Sequence, residues 1–387
     1  MNAAPLIYLM AGEASGDVLG ARLMLALRAA RPGVRFAGVG GRLMQEQGLS
    51  SLFPMEDLAV MGLAEILPRV RHLRRRKQQA VADIARLRPD VVVTVDSPGF
   101  MMHVLRGMVN GALGIRRVQY VAPQAWAWRE GRVRRFPGLW DKLLCLLPFE
   151  PAFYGKHGLT GTFTGHPVLQ SGADTGDAGR FRARHGLAPD APVLVLMPGS
   201  RRNEAPRLLP VFGSTIELLA REMPDLVPVL PVSPLVAPAV HAAVGGWTRK
   251  PVLVTELDDK HDAYAAAGAA LTKSGTSTLE LALAGVPMAV TYRVNPVTAV
   301  LARRLIRVPH VAMVNLLAGR ELVPELLQER CRPEELAATA LALLRDPAAA
   351  AAQRAGFAQV LASLRPPGGL LPSDAAALEV LGVLDQP

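Results

Sequence analysis

Residues 91–100 read Val-Val-Val-Thr-Val-Asp-Ser-Pro-Gly-Phe, and they constrain the fold more than any other stretch. Five residues dominated by β-branched side chains favour an extended strand, and Ser97, Pro98 and Gly99 forbid it to continue past Asp96. If that strand is parallel and central, its carboxyl end opens onto the crevice where α/β sheets bind ligands, so Asp96 would face a substrate. The same carboxylate also reads as a cap of the following helix or a brace of its own turn.

The rest of the chain repeats this pattern. A strand over 5–10, the loop at 11–17, an apolar helix pattern over 18–30 stopped by Arg31-Pro32-Gly33, and a strand over 34–39 form a β-loop-α-β unit. A helix near 78–87, the Asp96 strand, a helix around 101–108 and strands over 117–121 and 143–147 follow. Between 165 and 192 the pattern lapses into Gly, Asp, Ser and Thr with a short basic stretch, which reads as a domain boundary. A second round starts at 193–197, with a helix over 208–222, strands near 227 and 251, a strand over 269–272, a helix over 276–284 and a strand over 288–291. Alternation of this kind implies α/β architecture: two Rossmann-like domains, each a mostly parallel sheet covered on both faces, facing a central cleft. The expected division is 1–168, 169–365 and a C-terminal helix within 366–387 that crosses back onto the first domain, after a Pro-Pro-Gly-Gly break.

A formal charge of +10 calls for an anionic partner, either nucleic acid, a nucleotide or an acidic membrane surface. Only Cys145 and Cys331 are present, far apart and without metal-ligand spacing, which suits a reducing cytosol. The start of the chain has no cationic region ahead of its short apolar run and reads as a first strand, not a signal peptide. Residues 226–247 are long and apolar enough for a membrane span, but Pro228, Pro231, Pro234 and Pro238 interrupt them. A buried strand and a loop leading to a helix is the expectation, and any membrane contact should be peripheral.

Several segments could carry chemistry. Gly12, Glu13, Ala14, Ser15, Gly16 and Asp17 lie between the first strand and first helix, where free amides favour an anion or a sugar hydroxyl. The loop matches neither a dinucleotide fingerprint nor a Walker motif, and it reads equally as a helix start capped by Ser15 or Asp17. Pro198-Gly199-Ser200-Arg201-Arg202 follows a strand and precedes a helix, so amides, a hydroxyl and a guanidinium could converge on phosphate. Ser274-Gly275-Thr276-Ser277-Thr278 repeats that arrangement after Lys273, with Glu280 beyond it, although Ser277 and Glu280 also form a capping-box pattern. Two such loops in one domain favour a pyrophosphate site. Residues 69–77 carry six Arg or Lys side chains just after the mostly apolar 58–67. A charge run is usually a solvated helix face, but apolar and basic segments side by side also hold proteins to anionic lipid. Residues 126–136 repeat that mixture with aromatic side chains, for which stacking on nucleic acid is the competing use. The eight histidines show no metal-binding spacing, and neither a metal nor another cofactor is expected.

Taken together, these motifs resemble lipid-A-disaccharide synthases, glycosyltransferases of the GT-B fold from Gram-negative bacteria. The resemblance rests on Ala11 through Asp17, Glu56 through Gly62, Val95-Asp96-Ser97-Pro98, Ala125-Trp126-Ala127-Trp128-Arg129, Leu147-Pro148-Phe149-Glu150, Gly165-His166-Pro167, Leu196 through Arg201, Ser274-Gly275-Thr276 with Leu279-Glu280, and 315–328. These motifs run through most of the chain in family order.

The resemblance implies transfer with inversion from UDP-2,3-diacylglucosamine to 2,3-diacylglucosamine 1-phosphate, giving a β-1,6-linked disaccharide and UDP without a metal. It implies Asp96 as the catalytic base, and it assigns Ser200, Arg201, Ser274, Gly275, Thr276, Glu280, Asn315 and Gln328 to the donor nucleotide. Glu13, Ser15, Gly16 and Asp17 would support either the acceptor or their own loop. Val60, Met61, Leu63, Ile66, Leu67, Arg69, Arg74, Arg75, Arg76, Trp126 and Trp128 would meet acyl chains and an anionic inner-membrane surface, on the cytoplasmic face. Nucleic acid is not an expected partner, and a homodimer is compatible with the sequence. In one respect the chain departs from the family pattern Asp-x-Pro-Asp-Phe-Asn: Gly99 and Met101 stand where a second acid and an amide often occur, which leaves Asp96 to act alone. Other GT-B enzymes of UDP-sugars, such as UDP-GlcNAc epimerases or the peptidoglycan GlcNAc transferase, are the nearest alternative, and a basic nucleic-acid-binding protein is a more distant one.

Overall fold

A computed structural model describes residues 4–58, 63–111, 113–128, 130–201, 204–295, 299 and 308–385. The chain divides into two compact units, residues 1–167 with 364–387 and residues 168–363. In the first unit, strands β1 (Leu6–Ala11), β2 (Arg35–Val39), β3 (Val91–Val95), β4 (Arg116–Tyr120), β5 (Lys142–Cys145) and β6 (Gly161–Phe163) form one sheet. Its order is β2-β1-β3-β4-β5-β6, and every pairing is parallel. All five residues of β3 are buried, as a strand with neighbours on both sides and helices over its faces requires.

Parallel strands need crossovers, and the helices Ala14–Ala30, Leu63–Leu87 and Pro98–Asn110 supply them around β1 and β3. The second of these begins well before residue 78, where the sequence suggests a start. Arginine, lysine and glutamine are good helix formers, so the charged run extends the helix instead of interrupting it. The C-terminal helix Pro372–Leu384 belongs to the first unit. It packs against Ala14–Ala30 and over β3, β4 and β5, with Ala376, Ala377 and Val380 buried. An ion pair of 2.6 Å joins Arg31 to Asp385, and Lys142 pairs with Glu379.

In the second unit, strands β7 (Val193–Met197), β8 (Val227–Pro231), β9 (Val252–Val254), β10 (Ala269–Lys273), β11 (Met288–Tyr292) and β12 (Glu325–Leu327) are again all parallel, in the order β12-β11-β10-β7-β8-β9. The proline-interrupted stretch at 226–247 becomes β8 and the helix Ala237–Gly245. Among the described residues no helix is long and apolar enough to cross a membrane.

Two features fix the β1–β2 edge. Asp17, 6% exposed, accepts hydrogen bonds from the backbone N–H groups of Gly41 (2.9 Å), Leu43 (3.0 Å) and Met44 (3.0 Å), and so caps the short helix Arg42–Glu46 from another helix. Gly38 sits at φ +135°, and a Cβ built there would lie 1.8 Å from the Leu9 carbonyl oxygen of β1. Replacement Gly38→Ala should therefore cost about 2–4 kcal/mol through backbone strain and a forced separation of β1 and β2. Urea unfolding of the variant would check this, and an unchanged midpoint would show that the edge relaxes freely.

Candidate active site and the cavity of the second unit

The carboxyl end of β3 is built around a backbone reversal. Asp96 and Ser97 adopt φ +52° and +40°, the left-handed region that non-glycine residues rarely enter, before the helix Pro98–Asn110 begins. The reversal takes the chain out of the strand in one step and turns the Asp96 carboxylate toward the first loop of the unit. Its Oδ2 accepts a hydrogen bond from the Ser15 hydroxyl at 2.8 Å, and its Oδ1 accepts one from the Ser97 N–H at 2.8 Å. The Ser97 hydroxyl in turn donates to Glu13 Oε1 at 3.1 Å. Gly16 lets this loop close in, because a Cβ there would lie 3.2 Å from the Val95 carbonyl oxygen. Ser15 thus meets Asp96, Glu13 meets Ser97 and Gly16 lies against Val95, so the loop closes on the end of β3, while Asp17 turns away to its cap. Asp96 does brace its own turn, but Ser97, at the cap position of the next helix, makes no side-chain capping bond.

In the second unit, the loops after β7 and β10 line one cavity of about 500 Å³, together with Pro231–Pro234 after β8 and Thr255–Leu257 after β9. Ser200, Arg201, Ser274, Gly275, Thr276 and Glu280 all lie on its wall. Several of its charges pair with one another. Lys273 reaches Glu204 at 3.0 Å and Arg201 reaches the same carboxylate at 3.2 Å, while Lys260 pairs with Glu280 at 2.8 Å. The Tyr264 phenol, whose pKa burial and then neighbouring Glu280 hold high, stays protonated and donates to Glu280 at 3.4 Å. Glu280 is therefore oriented by Lys260 and Tyr264, and the helix Ser277–Leu283 carries no side-chain cap.

Asn315 and Gln328 do not line this cavity. Asn315 is fully buried: its Nδ2 donates to the Val323 carbonyl (2.8 Å) and Glu325 (2.9 Å), and its Oδ1 accepts from the N–H groups of Leu322 and Val323 at 2.8 Å. Gln328 accepts a hydrogen bond from the Val294 N–H at 3.0 Å. Asn315 still reaches the pocket loop through intermediaries, since Glu325 accepts from the N–H groups of Val311 and Ala312 and the Val311 carbonyl accepts from the Ser274 hydroxyl at 2.7 Å.

Along the basic segment, Arg74 and Arg75 are exposed, whereas Arg76 turns inward to Asp57 (2.8 Å from Nε) and lies over the Phe53 ring. Val60 and Met61 lie outside the described residues, as do the side chains of Leu63, Ile66, Leu67, Arg69 and Trp128. Trp126 donates its indole N–H to Glu150 at 2.9 Å and meets Phe149 edge to face.

Residues 7–373 match the family model described as lipid-A-disaccharide synthetase. The lipid-A-disaccharide synthase of Gluconobacter oxydans is 61% identical over 98% of this chain and 91% of its own length. That of Granulibacter bethesdensis is 60% identical over 99% of this chain and all of its own. This chain belongs to the lipid-A-disaccharide synthetase family. Its members are glycosyltransferases of lipid A biosynthesis, and solved structures share the GT-B fold with it. A Staphylococcus aureus MnaA–UDP co-structure superposes with a TM-score of 0.65 at 13% identity, covering 99% of this chain and 98% of that one. The glycotransferase of kitacinnamycin gives 0.61 at 18% identity, over 98% and 99%. At these identities the likeness is one of fold, whereas the sequence match over most of the chain is to the synthetase family.

Within the synthetase family motif at 147–150, Glu150 is a residue to which the sequence alone assigns no role. It is 2% exposed and accepts from the Leu146 and Leu147 N–H groups at 2.9 and 3.0 Å as well as from Trp126, so it ties the end of β5 to the Trp126 loop. Burial raises its carboxyl from 4.5 to about 7, against the lowering effect of Trp126 and the two amides. Because the folded-state value is the higher one, its stability contribution is full below pH 4.5 and is lost as pH rises through about 7. Between pH 5 and 8 the wild type should lose up to about 3 kcal/mol relative to Glu150→Gln, as read by paired urea titrations. A pH-independent gap would show the carboxyl to titrate normally.

Proposed function

We propose that this chain transfers the 2,3-diacylglucosamine unit of UDP-2,3-diacylglucosamine to the 6-hydroxyl of 2,3-diacylglucosamine 1-phosphate, with inversion, releasing UDP and the β-1,6-linked disaccharide 1-phosphate. The observation that carries the reading is the family match across residues 7–373, which contains the Asp96 loop and both cavity loops in one chain. Asp96 acts as general base. Ser15 and the Ser97 amide hold its carboxylate in a fixed direction, so that the acceptor hydroxyl loses its proton as it attacks the anomeric carbon. The leaving UDP occupies the cavity of the second unit, where Ser200, Arg201 and the amides of 274–276 surround its phosphates and Glu280 meets the ribose. The Staphylococcus aureus MnaA co-structure, which holds UDP on the same fold, supports a UDP site in this chain.

On this reading Asp96→Asn should lose about 10²- to 10⁴-fold in turnover and keep its affinity for UDP, measured by a product assay and calorimetry. Near-normal turnover would remove Asp96 from the role.

We further propose that the exposed Arg74 and Arg75 draw the enzyme to the anionic inner face of the membrane where its acylated substrates lie. Binding to phosphatidylglycerol vesicles should weaken with salt and with the double change Arg74→Gln, Arg75→Gln, each residue contributing about 1 kcal/mol. Sedimentation that ignores both salt and substitution would overturn electrostatic docking.

A further inference from the structure

The left-handed backbone at Asp96 has a counterpart one strand away. Val121, at the carboxyl end of β4, adopts φ +73°, a conformation in which a β-branched residue is a clear outlier. Both outliers are bound to one buried side chain. Gln119 lies within β4, wholly inaccessible to solvent, and its Nε2 approaches the carbonyl oxygens of Asp96 (3.3 Å), Tyr120 (3.2 Å) and Val121 (3.1 Å). Only the amino side of the carboxamide can face three carbonyls, so its orientation follows from its surroundings. The Thr94 hydroxyl of β3, also fully buried, fixes the other side by donating to Oε1 at 2.6 Å. Main-chain pairing adds one more tie, from the Asp96 N–H to the Tyr120 carbonyl at 2.9 Å.

A structural polar residue would not have to be here. An apolar side chain would fill this buried position on the sheet, yet this one brings a four-contact carboxamide to the point where two strands end in strained turns. Strained backbone persists only where its surroundings over-determine it, and such sites cluster where direction matters for function. From Thr94 through Gln119 to the Asp96 carbonyl the ties are continuous, and the carboxylate belongs to that same residue.

We propose that Gln119 is a positioning residue for the transfer reaction: its carboxamide pins the reversed backbone at Asp96 and Val121 and thereby fixes where the Asp96 carboxylate points. The inference rests on the reading of Asp96 as general base. Gln119→Met removes the donors at nearly constant volume. With kcat and KM measured for the wild type, Gln119→Met, Asp96→Asn and the double variant, Gln119→Met should lower kcat by about 10- to 100-fold, as a small misdirection of a catalytic group does, with the donor KM and UDP affinity within about twofold of wild type. In the Asp96→Asn background the same change should have no further effect, because it acts only through that carboxylate. If Gln119→Met does not fold, Thr94→Val, which leaves the amide unoriented, should show a smaller kcat loss with the same non-additivity. A double variant that loses the full factor again, or single variants with wild-type kcat, would overturn the role of Gln119. Full turnover of Asp96→Asn is a different outcome, and it would overturn the base assignment on which this inference stands.

Discussion

The working edge of the first unit depends on how β3 ends. A buried parallel strand delivers its last residue to the sheet's carboxyl edge, but an ordinary extended exit would carry the following side chains past the loop after β1. Two successive residues in the left-handed region reverse the chain at once, and the amide of Ser97 then becomes available to the preceding carboxylate. That reversal is energetically unfavourable alone. The reversed backbone is held by ties to β4, from the Gln119 carboxamide to the Asp96 carbonyl and from the Asp96 N–H to the Tyr120 carbonyl, so its geometry belongs to neighbouring strands and not to one loop.

The second unit solves a different problem with the same architecture. Its loops after β7 and β10 follow neighbouring strands, and ion pairing links them, with Lys273 at the end of β10 and Arg201 from the loop after β7 sharing Glu204. Behind them, Glu325 gathers the amides of Val311 and Ala312 and the Asn315 carboxamide, and the Val311 carbonyl receives Ser274. Asn315 is therefore connected to the Ser274 loop through Glu325 and Val311 without lining the cavity.

Much of this is legible in the sequence because it is local. β-Branched runs stopped by Gly and Pro mark the strands, and the loops that follow them are candidate sites in any parallel sheet; Asp96, Ser200, Arg201 and residues 274–276 are found that way. What is not legible depends on partners distant in the chain. The Ser277–Glu280 spacing suggests a capping box, but Lys260 and Tyr264, from another helix, compete successfully for the carboxylate. Arg76 looks like its neighbours Arg74 and Arg75 until Asp57 is brought beneath it. Nothing in a strand that reads Arg-Arg-Val-Gln-Tyr marks Gln119, whose buried contacts to Thr94 and the Asp96 carbonyl come from β3, far away in the chain.

The pairing inside the second unit's cavity bears on how an anion can enter it. Lys273, Arg201 and Lys260 already have carboxylate partners, so an anion that reached these three side chains would have to exchange places with Glu204 or Glu280, or share their cations. Binding by exchange depends on the difference between two anions in one setting. Such a pocket favours a ligand that offers several oxygens at once over a single weakly charged anion, and it discriminates by geometry where the chain's overall positive charge would attract indiscriminately.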